Sequence, residues 1–317
     1  MPPFSAIGVG FEWWADEFEK RMEGRYKVET YALSSLVPDS AALDAIKNSV
    51  CEIIMTSTGS QQTSFPLASV TGLPTLTFHK KGVAVEEFLA SFEALLELYE
   101  IPEIKANFKD YKLVKPFEIN PTYLITRDKE VFWPADLDGL KVGGASGALS
   151  DMMEAYGAVG VFQIPPQAYM NMDKGVTTAA FMADAMVGPY KMFEICDYYL
   201  RQNFTAGTLL LLMCPEDWNA MSAEDQDIFT ASWEDATQVC AQAMYDENIY
   251  SLPIIEASDM KINYPTSGQS AAWVRACEKY AFPKWAKDAQ DLGYSEEVTD
   301  KVLKTWQELI EKYTTQE

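Results

Sequence analysis

Blocks of apolar and polar residues between Phe132 and Tyr199 predict strands that are separated by helices. Apolar residues at 148, 149, 152, 153 and 156 recur at helical spacing, and Gly157 is a helix-ending residue. Short apolar runs at 140–142, 159–164 and 176–180 are typical of strands. This order predicts βαβ units and a parallel sheet, in which ligands collect at the carboxyl ends of the strands.

The flanking segments extend the same alternation of helices and strands over the rest of the chain. Apolar periodicity predicts helices over 10–22, 40–47, 83–99, 270–287 and 295–312, and one from Ser222 towards Tyr245. Strands are expected over 26–33, 51–56, 112–118, 123–126 and 207–213. The chain is expected to pass between two α/β lobes around 120–126 and again near 210.

Composition and charge narrow the classes of partner. The chain has 317 residues, a formal net charge of −22 and 48% hydrophobic residues, which is enough for packed cores. Nucleic acid and anionic membrane surfaces are not expected as partners, because both need clustered Lys and Arg. No apolar run approaches the ~20 residues that cross a bilayer. Five scattered cysteines leave both the compartment and any disulfide pairing open.

The residues that carry catalytic or metal chemistry are sparse. His79 is the single histidine, and neither a GxSxG sequence nor a His/Cys cluster occurs, so a hydrolase triad or zinc site is not predicted. Gly139, Gly143, Gly144 and Gly147 depart from the dinucleotide pattern GxGxxG, and either let backbone approach a ligand or make the turn. We expect no cofactor and no metal; an α/β enzyme remains the alternative class.

Aromatic and methionine side chains are frequent in the segments expected between the lobes. A single residue of this kind packs in a core more often than it contacts a ligand. As a group, those at strand ends and helix starts are suited to line an apolar cleft. They are Trp13, Trp14, Phe162, Tyr169, Met170, Met172, Phe181, Met182, Met186 and Tyr190.

Several segments occur in the order of a known family over nearly the whole chain. Residues 134–142, PADLDGLKV, resemble a P-x-D-L-K-G-L-K-[IM]-R segment, and residues 190–198, YKMFEICDY, resemble Y-K-[LV]-x-E-V-[AC]-K-Y. Residues 168–176 and 218–226 resemble two further segments of the same family. The chain is therefore similar to the DctP-type substrate-binding subunits of tripartite ATP-independent periplasmic (TRAP) transporters.

The resemblance implies an α/β fold with two lobes, the type II-like periplasmic-binding-protein fold, and a long helix that spans both lobes. We expect lobe I to contain residues 1–122 plus about 212–250, and lobe II residues 123–211 plus about 251–317. Such proteins close around a small organic molecule and deliver it to the membrane permease subunits of a TRAP transporter, without catalysis. The resemblance also implies a periplasmic location, with the signal peptide missing from this sequence. A monomer or homodimer is expected.

The chain departs from the family pattern where the family binds a ligand carboxylate. The family's arginine falls at Gly143, and its neighbouring polar pair falls near Phe181 and Met182. The favoured ligand is therefore neutral and apolar or aromatic, with Trp13 and Tyr169 as further walls.

Two other ligand classes stay open. A small amine would be held by aromatic faces and by Glu12, Glu118 or Asp184. A carboxylate would need a relocated cation, Arg127 or Lys129. The predicted ligand-binding residues are Trp13, Thr58, Gly143, Gly144, Ser146, Tyr169, Phe181, Met182, Asp184 and Arg127.

Overall fold

The computed structural model describes residues 6–31, 35–77, 84–144, 147–161, 163 and 165–314, which form two β-sheets covered by helices. The strands are β1 Ile53–Ser57, β2 Lys112–Glu118, β3 Thr122–Thr126, β4 Lys141–Gly143, β5 Val159–Val161, β6 Ala179–Ala183, β7 Tyr198–Thr205, β8 Thr208–Met213 and β9 Lys261–Asn263. The helices are α1 Ala6–Arg21, α2 Ala42–Lys47, α3 Val85–Tyr99, α4 Pro102–Lys105, α5 Gly147–Glu154, α6 Ala168–Asp173, α7 Asp184–Val187, α8 Pro215–Ala220, α9 Ala223–Glu256, α10 Ser267–Ala276, α11 Phe282–Asp291 and α12 Glu296–Thr314.

The two sheets belong to different lobes. The first has the order β1–β8–β2, with both pairings antiparallel. The second has the order β5–β4–β6–β3–β7–β9, and β4 is parallel to both β5 and β6. The succession β4, α5, β5, α6 and β6 confirms the predicted βαβ units. The carboxyl ends of β4, β5 and β6 consequently lie at one edge of the second sheet.

Two short segments carry the chain between the sheets. Residues 119–121 join β2 to β3, and residues 206–207 join β7 to β8. The amide of Ile119 donates to the carbonyl of Gly207 at 2.8 Å, and the Thr122 hydroxyl donates to the carbonyl of Thr205 at 3.0 Å. The two crossings between the sheets therefore run side by side.

The long helix α9 passes both lobes. Its 34 residues span about 50 Å. Ser222 caps it by accepting a hydrogen bond from the Asp225 amide at 3.1 Å, as the sequence predicts. The helix packs on α1 and α3 in one lobe and on α7 in the other, and Asn248 donates to Asn120 of the first crossing at 2.9 Å. The helix predicted from Ser222 towards Tyr245 continues to Glu256, where the sequence predicts a connector, and Ser251 and Ile255 of this last part are buried.

The predicted strand over 26–33 is also wrong for its described part, residues 26–31, which pair with no neighbouring strand. The Val28 amide instead donates to the Glu19 side chain at 2.6 Å. A strand needs a partner for its backbone groups, and here a carboxylate supplies one of the acceptors.

The C-terminal helices contact both halves of the molecule. In α10, the Trp273 indole donates to the carbonyl of Phe132 at 3.1 Å, next to the second sheet. In α12, Lys301 pairs with Glu103 at 2.7 Å, and the helix packs along α3. The division that places residues 251–317 with lobe II stays a prediction.

Candidate ligand cleft

The loop after β1 faces the start of α5 across the space between the lobes. A Cβ built on Gly147 would lie 3.2 Å from Oε1 of Gln62, so the two lobes approach each other here. Thr58 holds the loop to the start of β8, since its amide donates to the carbonyl of Thr208 at 2.9 Å. Gly59 and Ser60 remain exposed. Thr58 therefore positions small polar groups at the edge of the cleft, while its own side chain is buried.

Gly143 and Gly144 lie at the carboxyl end of β4, on the opposite wall of the cleft. Gly144 has a φ of +80°, which favours glycine, and its amide donates to the carbonyl of Val161 at 3.2 Å. A Cβ on Gly144 would lie 3.3 Å from the Phe181 carbonyl oxygen. The turn thus requires glycine, and it brings the ends of β4, β5 and β6 together.

The side chain of Gln163 lies directly on Gly143. A Cβ on Gly143 would overlap Cδ and Nε2 of Gln163 and would be 2.5 Å from its Oε1. Gln163 is 7% exposed, and its Oε1 accepts a hydrogen bond from Asn171 Nδ2 at 2.9 Å. A fixed, uncharged carboxamide therefore fills the space into which a side chain at position 143 would project. Sequence reasoning missed Gln163, because it lies 20 positions further along and inside the run read as a strand over 159–164.

Phe181 and Met182 lie on opposite faces of the second sheet, so they cannot line the same side of a ligand cleft. Phe181 belongs to the core that contains Leu124 and Trp273, and its ring is 4.9 Å from the Phe204 ring. Met182 packs on the other face of the sheet with Tyr123. Neighbouring residues of a strand point to opposite faces of the sheet, so Phe181 and Met182 lie on opposite faces. Of the two, Phe181 is on the same face as Gly144. Contact of either residue with a ligand stays a prediction.

Asp184 is occupied by a buried arginine that the sequence reasoning also missed. The carboxylate is 2% exposed and accepts hydrogen bonds from Arg201 Nη1 at 2.7 Å and from the Tyr199 hydroxyl. Burial raises the pKa of Asp184, and the Arg201 guanidinium opposes this rise. The Arg201 guanidinium also lies 4.4 Å from the Tyr123 ring centre. A carboxylate with these partners offers little charge to an amine ligand.

Arg127 and Lys129 follow β3 at the end of the sheet away from the crossings. Arg127 Nη1 donates to the carbonyls of Met172 at 2.6 Å and Asp173 at 3.2 Å. Lys129 Nζ donates to the carbonyl of Asp138 at 2.8 Å. Both cations are used on backbone carbonyls, and the structure does not bring them to Gly143.

The other predicted residues lie on α1, α6 and β2, or outside the described chain. Trp13 is half-buried and packs on the core under α1 and α9. The Tyr169 hydroxyl donates to Glu194 at 3.1 Å on the surface of the second lobe. Of the acidic candidates, Glu12 is exposed and Glu118 is buried at the end of β2. Ser146, together with Phe162 and His79, falls outside the described residues.

Within the described ranges, no group of histidine, cysteine and carboxylate side chains is arranged to hold a metal ion. All five cysteines are free thiols. A search of the described helices found none that is long and apolar enough to cross a membrane. The described residues form two α/β lobes, which the paired crossings join. This architecture is that of a two-lobed protein, and we expect the ligand cleft between the lobes.

Comparison with known proteins identifies the family. Residues 2–288 match the model of the family described as bacterial extracellular solute-binding protein, family 7 (DctP), and the chain belongs to this family. It is therefore a solute-binding protein of the TRAP transporter type and not an enzyme. The family assignment and the two-lobed α/β fold implied by the sequence are confirmed. None of the curated proteins compared with the chain matches it.

Solved structures of TRAP solute-binding proteins share the fold. One from Desulfovibrio salexigens, in an open complex, is 25% identical, with a TM-score of 0.83 over 100% of this chain and 95% of that one. One from Rhodoferax ferrireducens, in complex with copurified benzoate, is 21% identical, with a TM-score of 0.83 over 99% and 96%. A marine metagenome protein specific for aromatic acids, in complex with metahydroxyphenylacetate, is 22% identical, with a TM-score of 0.83 over 98% and 96%.

Proposed function

We propose that this solute-binding protein works in the periplasm, captures an uncharged, apolar or aromatic small molecule and delivers it to the permease subunits of a TRAP transporter. The observation that carries the choice of ligand is the Gln163 carboxamide on Gly143. A guanidinium binds a carboxylate through two charge-assisted hydrogen bonds, whereas a carboxamide offers a neutral donor and acceptor. A ligand beside Gln163 gains more from a neutral polar group than from a carboxylate that must lose its hydration.

Capture requires contacts from both lobes. A ligand that touches the loop at Thr58 and the turn at Gly144 binds the closed arrangement more tightly than the open one, and it shifts the population towards closure by that difference. The crossings at 119–121 and 206–207 are the proposed hinge, because few residues there join the sheets. We retain the division of the lobes near residues 122 and 211, and a monomeric or homodimeric state, as parts of this proposal.

A carboxylate ligand is the second candidate, and the ligands of the structural relatives favour it. The Rhodoferax ferrireducens protein holds benzoate, and the marine metagenome protein is specific for aromatic acids. In this chain, the cation for such a ligand would have to be one other than Arg127 and Lys129, whose side chains bind backbone carbonyls. The small-amine alternative is weaker, since Asp184 is already paired with Arg201.

The test is a thermal-shift series with small aromatic compounds that differ only in the polar group attached to the ring. Benzamide, benzyl alcohol, benzoate and benzylamine share one ring and differ in the group that Gln163 would contact. A ligand that binds only the folded protein raises the unfolding midpoint by mass action. We expect the neutral compounds to raise it and benzoate to leave it unchanged. A rise with benzoate alone would replace the proposal by the second candidate, and a rise with benzylamine alone would favour the amine.

A further inference from the structure

An open groove between the segment after β3 and helix α10 lies apart from the expected ligand cleft. It has a volume of about 420 Å³ and is lined by residues that include Trp133, Tyr156, Arg275 and Lys279. The segment from 133 to 137 forms one side, and the stretch from α10 into the following π-turn, Cys277–Ala281, forms the other. Neither the cleft nor the crossings contribute a residue to it.

The aromatic side of the groove is held rigidly. Asp136 Oδ2 accepts hydrogen bonds from the amides of Phe132 at 2.9 Å and Trp133 at 2.8 Å, which fixes the backbone before the short helix. The buried indole of Trp273 donates to the Phe132 carbonyl and holds α10 against the same segment. Trp133 is nevertheless 45% exposed. A large aromatic side chain is thus presented to solvent from an ordered backbone.

The other side of the groove carries two cations. Arg275 and Lys279 are four residues apart, and both side chains are exposed. The Lys279 ammonium lies 4.8 Å from the Tyr280 ring centre, and the Tyr280 and Tyr156 rings meet edge to face at 5.7 Å. The neighbouring Tyr280 raises the pKa of Lys279. Among the residues that the structure describes, no acidic side chain forms an ion pair with either cation.

The two cations of the groove lie in a chain that is acidic overall. Its formal net charge is −22, and several of its exposed lysines, such as Lys284 and Lys301, are paired with carboxylates. At physiological ionic strength, charges further away than ~8 Å are largely screened, so distant carboxylates have little effect on Arg275 and Lys279, whose nearest acidic neighbour in sequence is Glu278. Tryptophan, tyrosine and arginine are also enriched where proteins bind each other.

We propose that the groove is a docking site for an acidic segment of a partner protein. Carboxylates of the segment pair with Arg275 and Lys279, and an apolar side chain of the segment packs on Trp133 and Tyr156. A small molecule would leave most of its surface in water in so open a groove, whereas an extended peptide covers the aromatic side and reaches both cations. This inference does not depend on the identity of the cleft ligand.

The test uses fluorescence anisotropy with two labelled peptides, one of repeating Glu-Glu-Phe units and one of Gln-Gln-Phe units. We expect the wild-type protein to bind the acidic peptide at least about 10-fold more tightly, with an affinity that falls as salt is added. Arg275→Glu with Lys279→Glu should lower this affinity by about 10-fold or more, and Trp133→Ala by a smaller factor.

The matched control reverses two lysines elsewhere. Lys287→Glu with Lys304→Glu changes the net charge by the same amount on α11 and α12, and it should have little effect on the affinity. Circular dichroism and the unfolding midpoint confirm that each variant is folded. The inference is overturned if the two peptides bind equally, if neither binds, or if the control pair weakens binding as much as the groove pair does.

Discussion

Gly143→Ala offers a direct test of the contact that shapes the cleft. The new Cβ would overlap the Gln163 carboxamide and lie 2.5 Å from Oε1, whereas ordinary contacts need ~3.5 Å. The carboxamide must therefore withdraw by more than ~1 Å, because its Cδ and Nε2 lie closer to the new Cβ than Oε1 does. Because it is the end of a flexible side chain, it can do so by giving up its hydrogen bond to Asn171. We expect the variant to lose about 1–2 kcal/mol of unfolding free energy.

A double-mutant cycle separates this contact from any general effect of the substitution. Gln163→Ala alone removes the hydrogen bond to Asn171 and should cost about 1 kcal/mol. In that background the overlapping atoms are gone, so Gly143→Ala should cost little more. The expected coupling energy is about 1 kcal/mol, measured by urea unfolding followed through tryptophan fluorescence. Gly268→Ala is the control, since nothing lies within 4 Å of its Cβ position, and the substitution should be neutral or stabilising.

The same variants connect the contact to binding. Gly143→Ala and Gln163→Ala should each reduce the thermal shift produced by the neutral compound that stabilises the wild-type protein. Stability costs that add within about 0.3 kcal/mol would show that Gln163 does not rest on Gly143 in solution. Unchanged thermal shifts with a clear coupling energy would keep the contact but remove Gln163 from the ligand site.

Three further predictions concern stability. Asp184→Asn should cost about 3–5 kcal/mol in urea unfolding, because it removes the carboxylate charge from a buried ion pair with Arg201. Gly10→Ala should cost about 2 kcal/mol, because its Cβ would overlap Cys240 Sγ where α1 packs on α9, and Cys240→Ala should restore most of the loss. Burial raises the pKa of Glu247 to about 7 from 4.5, so ionisation of this carboxyl group lowers the stability of the fold as the pH rises from about 4.5 through 7. Glu247→Gln should remove this pH dependence and raise the unfolding free energy by on the order of 1 kcal/mol at pH 8. The gain is small because water still reaches the half-buried carboxylate.

Each of these predictions has an outcome that contradicts it. A cost below about 1 kcal/mol for Asp184→Asn would mean that solvent reaches Arg201. If Cys240→Ala fails to rescue Gly10→Ala, the loss has another origin than the overlap between the two helices. An unchanged pH dependence of unfolding in Glu247→Gln would show that this carboxyl group titrates normally.

The fold was predictable where local signals and burial agree. The capping residue Ser222 correctly predicts the start of α9, and the apolar runs of β2 and β8 correctly predict these strands, because the residues within each element are enough to favour it. The strand expected after Tyr26 failed because apolar content does not reveal whether a neighbouring strand is available. The end of α9 was placed too early because its last turns are held by the second lobe, and a local pattern carries no information about that contact.

The candidate site was less predictable, because it depends on which strand ends meet. Gly143 and Gly144 were predicted to form a turn after a strand, from the apolar run that precedes them. Gln163 was missed, since only the parallel pairing of β4 with β5 places it on Gly143. Arg201 was missed for a similar reason: its partner Asp184 is 17 residues away, and the two meet only through the second sheet.

The place of β8 in the first sheet has a consequence for the order of synthesis. This strand lies between β1 and β2, which do not pair with each other. The first sheet is therefore complete only after the ribosome has synthesised the chain as far as residue 213. The strands β3 to β7 are all made by residue 205 and already form five adjacent strands of the other sheet. The second sheet can therefore form first, while the backbone groups of β1 and β2 still have no partner strand. A nascent chain released before residue 208 would expose those edges, and we expect it to aggregate.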